Sequence, residues 1–121
     1  MTNLSDLLPA GAASKQLSFT ADGAIAQGDT VSLETNGKVK KITSANSNLA
    51  RFIGLADAAI SDTATGKINV KGSINSKQSS LTIGSDYYVQ EDGTVTTSST
   101  SPAQKIGQAV TATTINMMDL T

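Results

Sequence analysis

From Ile25 onward, short runs rich in Val, Ile, Thr and Leu are separated by Gly, Asn and Asp at intervals of about 8 to 12 residues. That rhythm predicts an all-β fold, a small sandwich or barrel of short antiparallel strands and hairpins. Val31, Leu33 and Val39 alternate with polar neighbours across Asn36-Gly37, a dipeptide that accepts the positive φ angles of a tight hairpin turn. A second hairpin runs through Tyr87 and Val89, turns at Asp92-Gly93 and continues through Val95.

The two hairpins superpose at one constant spacing. Gly28, Val31, Leu33, Gly37 and Val39 fall on Gly84, Tyr87, Val89, Gly93 and Val95, and after a small gap Ile53-Gly54-Leu55-Ala56 falls on Ile106-Gly107-Gln108-Ala109. We read this as a degenerate internal duplication, about residues 25–60 and 81–113, within a single β domain spanning 21–121. The competing explanation is chance agreement between hairpins in any β protein. Two copies are too few for a solenoid, so the halves are expected to pack together.

Between them, Ile60 leads through Asp62 and Gly66 into Lys67-Ile68-Asn69-Val70-Lys71, a strict alternation that predicts a further hairpin with one wet face. Gly72 is expected to bulge or bend that strand. Lys38, Lys40, Lys67 and Lys71 read as charges that keep exposed strands soluble and unpaired, with a binding face as the alternative. Tyr87 and Tyr88 point to opposite faces of a regular strand, so at most one belongs to the core, and Tyr88 is a candidate contact residue. Residues 94–101 read as a polar loop or edge strand before Pro102.

Residues 1–20 differ in character and are expected to form an extended N-terminal arm. Leu4, Leu7 and Leu8 fit a single amphipathic turn capped by Ser5 or Asp6, ended by Pro9 and Gly11. Three leucines within five residues are costly to leave in water. The arm is therefore expected to dock on a neighbouring subunit or a larger particle, through Leu4, Leu7, Leu8 and Phe19, with Phe52 and Tyr88 as further candidates.

Composition sharpens the expectation of assembly. Only 3% of the 121 residues are aromatic and Trp is absent, so the core must be thin and made of Ile, Val, Leu and Ala. Burial against a partner is then an obvious source of added stability. A net charge of −1 with 16% charged residues supplies no field to gather nucleic acid or an anionic membrane surface. The sequence shows neither a long apolar span nor a basic-then-apolar leader, and reads as soluble.

Reactive chemistry is sparse. With no His and no Cys, the usual general base, thiolate nucleophile and thiolate metal ligands are missing, and no enzymatic role, cofactor or metal is expected. Gly37-Lys38-Val39 and Gly66-Lys67-Ile68 lack the remaining residues of a phosphate loop. Asp86, Glu91 and Asp92 miss the spacing of a calcium loop and read as a solvated turn. Asn3-Leu4-Ser5 matches a glycosylation acceptor, a triplet that recurs by chance.

The order Ala24-Ile25-Ala26-Gln27-Gly28-Asp29-Thr30-Val31, the Asn-Gly turn, Phe52-Ile53-Gly54-Leu55-Ala56, Gly66-Lys67-Ile68-Asn69-Val70 and Gly72 resembles small bacteriophage capsid decoration proteins. Leu81-Thr82-Ile83-Gly84-Ser85-Asp86-Tyr87-Tyr88-Val89, with Asp92-Gly93-Thr94-Val95 and Ile106-Gly107-Gln108-Ala109, is also similar to modules of phage tail fibres. The first resemblance implies a homotrimeric cement protein, made in the host cytoplasm, that binds the major capsid protein on the outer surface of the virion and bridges capsomers. The second implies the alternative, a fibre or adhesin module that binds a receptor or glycan, for which four aromatic residues offer little material. Neither carries a catalytic residue onto this chain.

Overall fold

The computed structural model describes residues 16–45 and 49–117. Among these residues ten strands form two antiparallel sheets of five. The first holds β1 (Gln16–Thr20), β2 (Thr30–Leu33), β3 (Val39–Lys41), β4 (Phe52–Ala56) and β5 (Thr65–Val70), in the order β1-β5-β4-β2-β3. The second holds β6 (Ile74–Asn75), β7 (Asp86–Gln90), β8 (Val95–Thr96), β9 (Ala103–Ala109) and β10 (Ile115–Asn116), in the order β6-β10-β9-β7-β8. Among the described residues the helical content is one 3₁₀ turn at Leu49–Arg51, which leads into β4.

The second sheet repeats the first strand for strand. Leu33 pairs with Val39 as Val89 pairs with Val95. The β2–β4 register slips between Val31 and Ser32, and the β7–β9 register slips between Tyr87 and Tyr88. The Gly28 amide donates to the Ala56 carbonyl and the Gly84 amide to the Ala109 carbonyl, each at 2.8 Å. The repeat runs from β1 to β5 and from β6 to β10, which is wider than 25–60 and 81–113. Unequal loops before β5 and β10 break the sequence alignment that would have joined them.

Sequence and structure differ at several points. Gln16–Thr20, assigned to the arm, is an edge strand paired with β5 from Gln16↔Asn69 to Thr20↔Thr65. Ile60 forms no hairpin with β5. It bridges Ile25, while β5 lies between β1 and β4, because loop 57–64 carries the chain across the sheet. The face of β5 expected to be wet is exposed at Lys67 and Lys71, but Asn69 is fully buried. Its Oδ1 accepts from Asn75 Nδ2 on β6 at 2.6 Å, a buried polar link between the two sheets. Gly72, at φ +93, turns the chain from β5 into β6 rather than bulging a strand.

Both hairpins use three-residue loops. The Gly37 amide donates to Glu34 O and the Gly93 amide to Gln90 O, with Gly37 at φ +86 and Gly93 at φ +88. Asn36 and Asp92 do not take positive φ. Their Oδ1 atoms instead accept the amides of Lys38 and Thr94, each at 2.9 Å. This is a turn followed by a left-handed glycine, not the two-residue turn predicted.

Two apolar clusters hold the described residues together. One lies within the first sheet and its loops, and includes Ile25, Val31, Val39, Ala56, Ile60 and Ile68. The other combines Tyr87, Ala109 and Ile115, the counterparts of Val31, Ala56 and Ile68, with Val89, Ile106 and Met117 of the second sheet and Ile42, Phe52 and Leu55 of the first. Phe52 and Leu55, three apart, would face opposite sides of a regular strand. The register slip leaves Ile53 as an extra residue between Phe52, which pairs with Ser32, and Gly54, which pairs with Val31, and this turns both side chains to the same side. The outer face of the first sheet thereby covers the inner face of the second.

Candidate functional site

The residues singled out as contacts do not form one surface. Leu4, Leu7 and Leu8 lie outside the described residues. Phe19, on β1, is half-buried against the first-sheet cluster. Phe52 is a correction: at 2% exposure it is a core residue, with Lys71 Nζ 5.9 Å from its ring centroid. Tyr88 is half-buried on β7, opposite Thr96 and Lys105. Tyr87 is the buried member of the pair, and its hydroxyl accepts the Thr82 amide at 2.8 Å.

Sequence reasoning missed the exposed aliphatic side chains. Ile83 is 67% exposed, Leu17 53% and Val110 45%. Ile83 and Val110 flank the Gly84–Ala109 hydrogen bond at one end of the second sheet. At the same end of the first sheet stand Gln27 and Asp57, and Gln27 Nε2 donates to the Asp57 carbonyl at 3.5 Å. Comparing the two halves position by position carries the signal, since an apolar pair replaces a polar one where neither is needed for the core.

Leu17 contributes to a different feature. With Leu33, Ile53 and Val70 it lines an apolar cleft of about 360 Å³ on the first sheet, rimmed by Arg51 and Lys71. A second, polar cleft of about 320 Å³ separates the halves near Gly28 and Lys77. It is tied by Gln78 Nε2 donating to Gly28 O at 2.8 Å and by Thr30 Oγ1 donating to Gly93 O at 2.9 Å.

Charged groups are spread thinly. Asp86 pairs with Lys105 at 3.7 Å and Asp29 with Lys41 at 3.4 Å, both partly exposed and worth little. Asp92 is held below its ordinary pKa by the Thr94 amide, as expected of a turn carboxylate. Glu34 is pushed up by a side-chain hydrogen bond with Asp22, by burial and by the Asp22 charge, against the pull of Lys40 and Lys38. Among the described residues no group of three or more His, Cys, Asp or Glu side chains is placed to hold a metal, and no helix is long and apolar enough to cross a membrane.

Comparison with protein-family models, curated proteins and solved structures finds no match to this chain. What the geometry offers is surface: an exposed aliphatic pair at the end of one sheet and an apolar cleft on the other.

Proposed function

We propose that this chain is a virion structural protein of a bacteriophage, a decoration protein that binds the outer capsid surface, self-associates as a trimer and stabilises the shell by bridging subunits of the major capsid protein. The observation that carries the reading is the Ile83–Val110 pair, two exposed aliphatic side chains at a place where the other half of the same molecule is polar. Exposed apolar surface of this kind is removed from water by contact with another protein. The sequence resemblance to phage decoration proteins supports the capsid surface as that partner. Many modest contacts of one small subunit add up when several capsid subunits are engaged at once, so a strong individual site is not required.

Counting copies in purified particles tests the reading. Hundreds per particle are expected for a shell protein, whereas a handful would place the chain in the tail and favour the fibre-module alternative.

A further inference from the structure

The repeat supplies a template for what belongs in the apolar cleft. Leu33, Ile53 and Val70 of the first sheet occupy the places of Val89, Ile106 and Met117 in the second. Leu33 pairs with Val39 as Val89 does with Val95, and Ile53 and Ile106 are the extra residues at the two register slips. Val70 and Met117 stand in the same relation to Gly54 and Gly107. In the second sheet all three are buried, because Ile42, Phe52 and Leu55, from earlier in the chain, lie over them. In the first sheet all three are only half-buried and open into the cleft, beside the exposed Leu17.

The outer face of the second sheet cannot fill the cleft of another copy in the same way. Where the first sheet presents Phe52 and Leu55, the second presents Lys105 and Gln108, both exposed, with Lys105 paired to Asp86. A head-to-tail stack of copies would take these polar groups out of water against the apolar Ile53 and Val70, at a desolvation cost.

We propose that the cleft is the docking site of the chain's own N-terminal segment, with Leu4, Leu7 and Leu8 taking the role that Ile42, Phe52 and Leu55 play over the second sheet. Three features of the molecule select this occupant. Gln16, where the described residues begin, pairs with Asn69, the neighbour of Val70, so the N-terminal segment is joined to the sheet at the cleft itself. The eight residues from Leu8 to Gln16 span up to roughly 25 Å, and Pro9 and Gly11 permit the reversal that brings the leucines back. Asp6 lies among the leucines, and the cleft rim carries Arg51 and Lys71, neither of which pairs with a carboxylate among the described residues. A tether this short holds the leucines at high effective concentration, which favours docking on the same chain over docking on a neighbour.

The test is nuclear magnetic resonance on the full chain. Methyl nuclear Overhauser contacts from Leu4, Leu7 or Leu8 to Leu17, Ile53 or Val70 are expected in a uniformly labelled sample and absent between molecules in an isotope-filtered mixture of labelled and unlabelled protein. Asp6→Lys should weaken those cross-peaks by at least half while leaving the shifts of the second sheet unchanged. Contacts that arise between molecules in the mixture would overturn the proposal in favour of a second copy. Leucine methyls at random-coil shifts with no contacts would overturn it outright, leaving the segment free for another protein. Neither result bears on the Ile83–Val110 surface, so shell binding stands or falls separately.

Discussion

Leu55 and Gln108 occupy the same place in the two sheets, each following a buried glycine on the strand that pairs with the hairpin, yet Leu55 is fully buried and Gln108 is exposed. The difference makes a two-part molecule finite. Leu55 presents the first sheet's outer face to the second sheet's core, and Gln108 ends the series by presenting a polar group at the next such face.

Substitution at the two positions should therefore be unequal. Leu55→Ala is expected to cost about 2–5 kcal/mol in urea unfolding, by lost transfer energy and a residual cavity. Gln108→Ala should stay within about 0.5 kcal/mol of the parent. The double variant Lys105→Phe with Gln108→Leu recreates the first sheet's outer face on the second. It is expected to make the protein associate with increasing concentration in sedimentation velocity, as an uncompensated apolar face does.

Gly54 and Gly107 test the repeat at the backbone. A Cβ on Gly54 would collide with the Asn69 carbonyl, and a Cβ on Gly107 with the Asn116 carbonyl. Alanine at either site should destabilise by about 1–3 kcal/mol, since the strand must shift away from its neighbour. Gly37→Ala meets no neighbouring atom and should cost about 1–2 kcal/mol through its positive φ alone, read by thermal melting.

The Asp22–Glu34 pair gives the protein a pH dependence of defined sign. Folding raises the Glu34 pKa, so the native state holds that proton more tightly than the unfolded chain does. The resulting stabilisation is complete below the unfolded-state pKa and is lost as pH rises through the raised native value. Glu34→Gln keeps an amide donor for Asp22 and removes the charge. Its stability relative to the parent should rise from acid towards neutral pH in parallel denaturant titrations, and the rise should shrink at high salt.

Much of the fold was legible in the chain because both hairpins carry their own signals. Alternation across residues 31–39 and 87–95, with glycine at the left-handed turn position, fixes strands, turn and face locally. The constant spacing from Gly28–Val39 to Gly84–Val95 likewise reflects local geometry that both halves must satisfy. What was hidden depends on contacts distant in sequence. Gln16–Thr20 reads as an arm because its strand character comes from pairing with β5 rather than from its own alternation. Asn69 reads as wet because the Asn75 amide that bonds it in the interior arrives from another strand. Phe52 reads as a surface aromatic because a one-residue slip, invisible in the pattern, turns it inward. Ile83 and Val110 give no signal of exposure, because single aliphatic residues near a glycine look like ordinary strand ends.

The central claim, that this protein works by covering part of its surface against a phage shell, is tested most directly by mixing purified full-length protein with shells assembled without it and pelleting the particles. The parent is expected to co-pellet up to a fixed number of copies per shell and to raise the temperature at which the shells come apart, while Ile83→Ser with Val110→Ser folds normally and binds at least tenfold more weakly, a loss of about 1.4 kcal/mol or more. A folded parent protein that stays in the supernatant at every concentration would contradict the account.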